Sequence, residues 1–196
     1  KASKFGVAMA DARALYRFAA ASSHLRVVGI DSHIGSQILD LAPMVEAVDK
    51  VLHLVEQLRA DGITMQHLDI GGGLGIAYKD ELPVTPQALG EVVAGMARAH
   101  GLHLLVEPGR VIAGNAGILL TRVLGMKSNG SKQFVVVDAA MNDNLRPALY
   151  GAYHAIQPVV QPAATRETVV DVVGPVCESA DFLAQDRSLP ALRQGD

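Results

Sequence analysis

The chain has 196 residues, of which 49% are hydrophobic and 19% charged, and it carries a net charge of −3. A composition this apolar can bury a core, which excludes a disordered chain. Without a basic excess it also excludes a nucleic-acid binder held by phosphate contacts, and no apolar run approaches the roughly 20 residues of a membrane-spanning helix.

The first two thirds alternate short apolar runs with amphipathic stretches. Residues 5–9 read as a strand. Residues 11–21 read as a helix, with Leu15, Phe18 and Ala19 at helical spacing and Asp11 near its cap. The run 27–30 is a further strand. From 43 to 59, Met44, Val45, Val48, Val51, Leu52, Val55 and Leu58 fall on one helical stripe, with Pro43 in the first turn and Gly62 as a stop. Strand 68–70 runs into a set of glycines. Thr85-Pro86 opens another helix that buries Leu89, Val92, Val93 and Met96 and stops before Gly101, and 102–106 is again a strand. One helix between successive strands is a βαβ rhythm, which implies a parallel sheet.

After about Gly114 the rhythm changes. Runs 117–126, 134–137, 155–160 and 168–173 are apolar or alternating, separated by turns such as Ser128-Asn129-Gly130. No long helical stripe lies between them, so they predict a second, mainly antiparallel β region.

Polar clusters follow the predicted parallel strands, where open sheets and barrels hold their ligands. Asp31-Ser32-His33-Ile34-Gly35-Ser36-Gln37 offers ligand contacts through His33 and Ser36, or forms a polar turn with a locally bonded histidine. Gly71-Gly72-Gly73-Leu74-Gly75 lets a backbone approach an anion closely, or makes a tight turn at positive φ. The dinucleotide fingerprint fails, because its sixth position is Ile76. A phosphate outside a nucleotide suits it better. Glu107-Pro108-Gly109-Arg110 places a carboxylate and a guanidinium at the sheet mouth, as an anion clamp or as a mutual ion pair.

Two clusters lie in the β region. Residues 142–150 form a polar loop with Arg146 and Tyr150, and 174–181 hold the single thiol, Cys177, beside Glu178. One cysteine excludes an internal disulfide and fits a reducing compartment. It also cannot build a structural zinc site, and with no HExxH motif no metal site is expected.

Taken together, the motifs HIGSQ, GGGLG, EPGR, NDNLRPALYGAYH and GPVCESAD resemble the fold-type III pyridoxal-phosphate decarboxylases, from about Lys4 to about Leu183. The last two favour the diaminopimelate branch over the ornithine and arginine branches. The resemblance implies decarboxylation of meso-2,6-diaminopimelate to L-lysine, the last step of lysine biosynthesis, by a cytoplasmic homodimer using pyridoxal 5′-phosphate. It implies that His33 stacks on the cofactor ring. Ser36 and Gly71, Gly72 and Gly73 bind its phosphate, and Glu107 keeps its pyridine nitrogen protonated. Gly109 and Arg110 contribute to the phosphate and substrate subsite. Arg146 and Tyr150 grip the retained carboxylate. Cys177 donates a proton, Glu178 recognises the distal ammonium, and this Cys-Glu segment serves the other subunit's site. Close alternatives are a decarboxylase of another basic amino acid or of carboxynorspermidine, and a non-catalytic phosphate-binding protein.

One family feature is missing. Lys1, Lys4, Lys50, Lys79, Lys127 and Lys132 lie outside the family's cofactor-lysine motif, and its C-terminal tyrosine motif is absent. The expectation is therefore a fragment. Residues 1–116 would be the later half of a (β/α)₈ barrel, and 117–196 an incomplete antiparallel β domain. Such a fragment would fold poorly alone and would not decarboxylate.

Overall fold

A computed structural model describes residues 4–161 and 166–196. The chain divides into two units, one holding the residues up to Ala77 together with Glu81–Gly117, the other Tyr78–Asp80 with Ile118–Asp196.

The first unit is built on α1 (Met9–Ala21), β1 (Gly29–Asp31), α2 (Leu41–Ala60), β2 (His67–Asp69), α3 (Pro86–Ala99), β3 (His103–Leu105) and the short α4 (Arg110–Ala113). The three strands pair in the order β1-β2-β3, all parallel, as the βαβ rhythm requires. Both long helices carry their start and stop signals in the sequence. Asp40 accepts the Ala42 N–H at the start of α2, and Thr85 accepts that of Ala88 at the start of α3. Each helix ends on a glycine at positive φ, Gly62 and Gly101. The N–H three residues past the end of each helix reaches back five positions, Ile63 to Leu58 and Leu102 to Ala97.

Leu58, Leu68, Val55 and Val93 are completely buried where α2 and α3 cover one face of this sheet. Ile30 and Leu68 point into that core, so by strand alternation their neighbours Gly29, His67 and His103 line the opposite face at one level. The His67 and His103 rings lie 5.8 Å apart, and a Cβ on Gly29 would overlap His67.

Residues 5–9 are not a strand; α1 begins at Met9. Its predicted stripe also faces outward, with Phe18 74% exposed, while Ala12 is the residue it buries. Polar contacts from three of its residues hold it instead. The Tyr16 hydroxyl donates to Gly29 O at 3.1 Å, and Arg13 and Arg17 both grip the Asp61 carboxylate, at 2.7 and 2.6 Å.

The second unit is β4 (Val123–Asn129), β5 (Lys132–Val137), α5 (Arg146–Tyr150), β6 (Glu167–Val173) and β7 (Phe182–Pro190), with sheet order β4-β5-β6-β7. Here the expected antiparallel domain is corrected. β4–β5 and β6–β7 are antiparallel hairpins, but β5 and β6 run parallel, so the sheet is mixed. Run 155–160 is irregular chain, and β7 had no sequence counterpart. Asp171, almost fully buried in β6, is held by Lys132 Nζ at 2.8 Å and by the Asp186 N–H at 2.9 Å, where the β6–β7 register shifts.

The two arginines hold the Asp61 carboxyl well below its ordinary value of 3.8. A lowered carboxylate pKa contributes stability that is complete above the ordinary value and fades as pH falls through the lowered one. Asp61→Asn is expected to lower the melting temperature at pH 7 and to flatten the acid-side loss below about pH 4. Melting curves of the full-length protein across pH 2–7 check this.

Candidate active site

The parallel strands of the first unit deliver three loops to one edge of the sheet. Their backbones pack so closely that side chains would not fit. A Cβ on Gly71, at φ 66°, would sit 2.7 Å from His33 Nδ1. One on Gly72 would strike Glu107 O, and one on Gly73, at φ 97°, would strike Gly35 O. Hydrogen bonds close the same seams. Glu107 N–H donates to Gly71 O at 2.8 Å, Ile38 N–H to Gly73 O at 2.9 Å, and Gly75 N–H to Ile38 O at 2.9 Å.

These bonds redirect part of the anion cradle. Gly71 N–H donates to Asp69 Oδ1 at 2.8 Å, and Gly72 N–H to His33 Nδ1 at 3.2 Å. Two of the three glycine donors are thus turned onto the protein, and the tight-turn role and the close-approach role coexist. The Gly72 bond also fixes the His33 tautomer. With Nδ1 accepting, the neutral ring carries its proton on Nε2.

Gln37, which carried no assigned role in the sequence, joins the three loops. It sits at φ 59°. Its amide donates to Ile76 O at 2.6 Å and accepts the Ile76 N–H at 3.3 Å, and its oxygen also receives Arg110 Nη1 at 2.9 Å. A polar amide beside flexible Gly35 was the available signal. Arg110 opens α4, with Gly109 at its cap position. His33, Ser36 and Glu107 are exposed along this rim.

Arg146, Tyr150, Cys177 and Glu178 belong to the second unit. Because β5 and β6 are parallel, the loop after β5 and the loop after β6 leave the same end of the sheet. The first carries Arg146 and Tyr150, the second Cys177 and Glu178. The Arg146 guanidinium lies 5.5 Å from the Tyr78 ring centre and 5.7 Å from that of Tyr150. No carboxylate pairs with it among the described residues, and its buried Nε lacks a partner. Held by ring faces, the guanidinium keeps donors for an anion. His154 packs edge-on to Tyr78, and burial, reinforced by Arg146 and Arg187, pushes its pKa down. Cys177 and Glu178 are exposed.

Among the described residues no cluster of three metal-ligating side chains occurs, and no helix is long and apolar enough to cross a membrane.

Residues 9–196 match the family model of the pyridoxal-dependent decarboxylase C-terminal sheet domain, and the chain belongs to that family. Over its whole length it is 50% identical to a diaminopimelate decarboxylase of Neisseria meningitidis, covering 48% of that protein. It is 41% identical to the crystal structure of diaminopimelate decarboxylase from Helicobacter pylori complexed with L-lysine, with a TM-score of 0.93, covering 100% of this chain and 48% of that one. A lysine/ornithine decarboxylase from Vibrio vulnificus complexed with cadaverine matches at 25% identity and a TM-score of 0.88, with 99% and 52% covered. The chain thus spans about half the length of the relatives it matches.

Two glycine-to-alanine changes separate close approach from flexibility. Gly90, inside α3, has open space around it, so Gly90→Ala is expected to stabilise by about 0.5–1 kcal/mol. Gly72→Ala drives a methyl into the Glu107 backbone and is expected to destabilise. Denaturant titration of the full-length variants reads both signs.

Proposed function

We propose that this chain is part of a diaminopimelate decarboxylase that uses pyridoxal 5′-phosphate and releases L-lysine and carbon dioxide. The observation that carries the proposal is the rim of the first unit, where His33, Ser36, Gly73, Glu107 and Arg110 meet at the ends of three parallel strands. The donor set suits the cofactor. It combines an imidazole plane, a hydroxyl, a backbone turn without side chains, a carboxylate and a guanidinium. Identity of about 50% over the whole chain to named diaminopimelate decarboxylases supports the substrate.

When bound, the cofactor supplies an electron sink for the pair left on the substrate α-carbon as carbon dioxide departs. The residues of this chain do the rest. His33 covers the pyridine ring with its tautomer fixed by Gly72. Glu107 keeps the pyridine nitrogen protonated. Ser36, the glycine turn and Gly109 receive the phosphate, and Arg110 borders both phosphate and substrate. Arg146 and Tyr150 hold the carboxylate that is retained, and Glu178 holds the distal ammonium. Cys177 Sγ–H delivers the proton that replaces the lost carboxyl group.

The same proposal extends to architecture and assembly. The three βα units form part of a (β/α)₈ barrel. Its interior includes the layer of Gly29, His67 and His103, which fits the buried, unpartnered His67 Nδ1. The enzyme is a homodimer in which Cys177 and Glu178 serve the partner's cofactor. A covalent anchor for the cofactor requires a lysine. In the first unit the described lysines are Lys4 and Lys50, and Lys50 is exposed on α2, paired with Glu46 at 2.5 Å.

The test uses the full-length protein loaded with pyridoxal phosphate and a panel of meso-diaminopimelate, ornithine, arginine and lysine. Carbon dioxide release is expected to be fastest with diaminopimelate, and preference for any other panel member overturns the substrate assignment. Cys177→Ala is expected to lower kcat about a hundredfold or more, and Arg146→Ala to act mainly on KM. Mixing Cys177→Ala with Glu107→Gln subunits is expected to recover activity, because hybrid dimers regain one intact composite site. A mixture no better than its parts argues against the shared site.

A further inference from the structure

The GPVCESAD motif holds one carboxylate that the proposed chemistry does not use. Asp181 is 4% exposed and lies just before β7. Its two oxygens are held by backbone donors on different loops. Oδ1 receives the Met141 N–H at 2.6 Å, and Oδ2 the Val176 N–H at 2.7 Å. Met141 stands five residues before Arg146, in the loop that follows β5. Val176 immediately precedes Cys177, in the loop that follows β6.

The surroundings are shaped to this carboxylate. A Cβ on Gly174 would come within 2.5 Å of Oδ2 and 2.7 Å of Oδ1, so only glycine fits there. Asp181 also closes its own loop through the backbone. Its N–H donates to Glu178 O at 3.0 Å, and its carbonyl receives the Gly174 N–H at 3.1 Å. The bonds from Met141 and Val176 are short and made to a carboxylate, the class of hydrogen bond that positions most firmly. Burial without both donors would leave the carboxylate unsatisfied.

We propose that Asp181 is a positioning residue that locks the loop leading into α5, which carries Arg146 and Tyr150, to the Cys177–Glu178 loop, so that the anion grip and the thiol hold a fixed relation. The proposal rests on the reading of the site as a decarboxylase. Asp181 touches neither substrate nor cofactor in this assignment. It acts through Met141 on one side and Val176 on the other. In a dimer whose Cys-Glu segment serves the partner, it ties a loop of one site to a loop of the next.

The experiment compares the full-length protein with Asp181→Asn and Asp171→Asn. The asparagine at 181 keeps the shape but accepts only one of the two N–H groups. Asp171 is the matched control, a buried carboxylate in the same sheet that pairs with Lys132 and Asp186 instead of the two loops. Iodoacetamide labelling, read by mass spectrometry on the peptide containing Cys177, gives the thiol's freedom independently of turnover. Asp181→Asn is expected to speed labelling about tenfold, the equivalent of one lost bond to a charged group. It is also expected to lower kcat by a similar factor while melting no lower than Asp171→Asn.

Unchanged labelling in Asp181→Asn overturns the proposal. Equal acceleration in Asp171→Asn also overturns it, since general loosening would then explain the effect. If the wild-type protein decarboxylates nothing in the panel, the functional reading fails, and labelling alone decides whether Asp181 locks the loops.

Discussion

Parallel pairing governs where the reactive groups of this chain can lie. Two neighbouring strands that run the same way send their following loops off the same edge, whereas an antiparallel pair sends them to opposite edges. In the first unit β1, β2 and β3 bring the His33, Gly71–Gly73 and Glu107–Arg110 loops together in this way. In the second, the single parallel contact between β5 and β6 does the same for the loops carrying Arg146 and Cys177. A wholly antiparallel second sheet in the same order would place those two loops at opposite ends.

Bringing loops to one edge is insufficient without close approach. Three successive glycines let the His33 and Glu107 loops touch the central loop through backbone, and Gln37 then fastens Ile76 and Arg110 with one amide. Gly174 plays the matching part in the second unit, making room for the Asp181 carboxylate. In both places an absent side chain determines where the neighbouring functional groups stand. The restraint is local and polar, while the apolar cores beneath supply rigid platforms.

Much of this was legible in the residues. The stripe on α2 and the Thr85-Pro86 opening of α3 are strong local signals, and both helices formed within two residues of their expected bounds. The order of the motifs HIGSQ, GGGLG and EPGR carries the family resemblance in the sequence alone. Other features depend on partners far away in the chain. The α1 helix was legible but its buried side was not, because small Ala12 and the Asp61 grip on Arg13 and Arg17 outweigh the apolar Leu15 and Phe18. Strand β7 carries the polar run Gln185-Asp186-Arg187-Ser188, and Asp186 at φ 48° breaks its alternation. The direction of β6 relative to β5 is set by a long connection without a helical stripe, which no short-range pattern records. Gln37 and Asp181 were visible as residues, but their roles lie in which backbone groups come to meet them.

The mixed sheet also bears on how the second unit is reached during folding. Its two antiparallel pairs, β4–β5 and β6–β7, join strands that are consecutive in the chain, the first through the turn at Gly130 and the second through the loop that carries Cys177, and each closes at a smaller entropic cost than a longer connection. The parallel contact instead pairs Phe134 with Asp171, across a long intervening stretch. Non-local pairing of this kind is the slow step of β assembly. The loops bearing Arg146 and Cys177 are therefore neighbours through the longest-range pairing of the sheet. A chain without that pairing would keep both antiparallel pairs and lose the common edge that sets the two loops side by side.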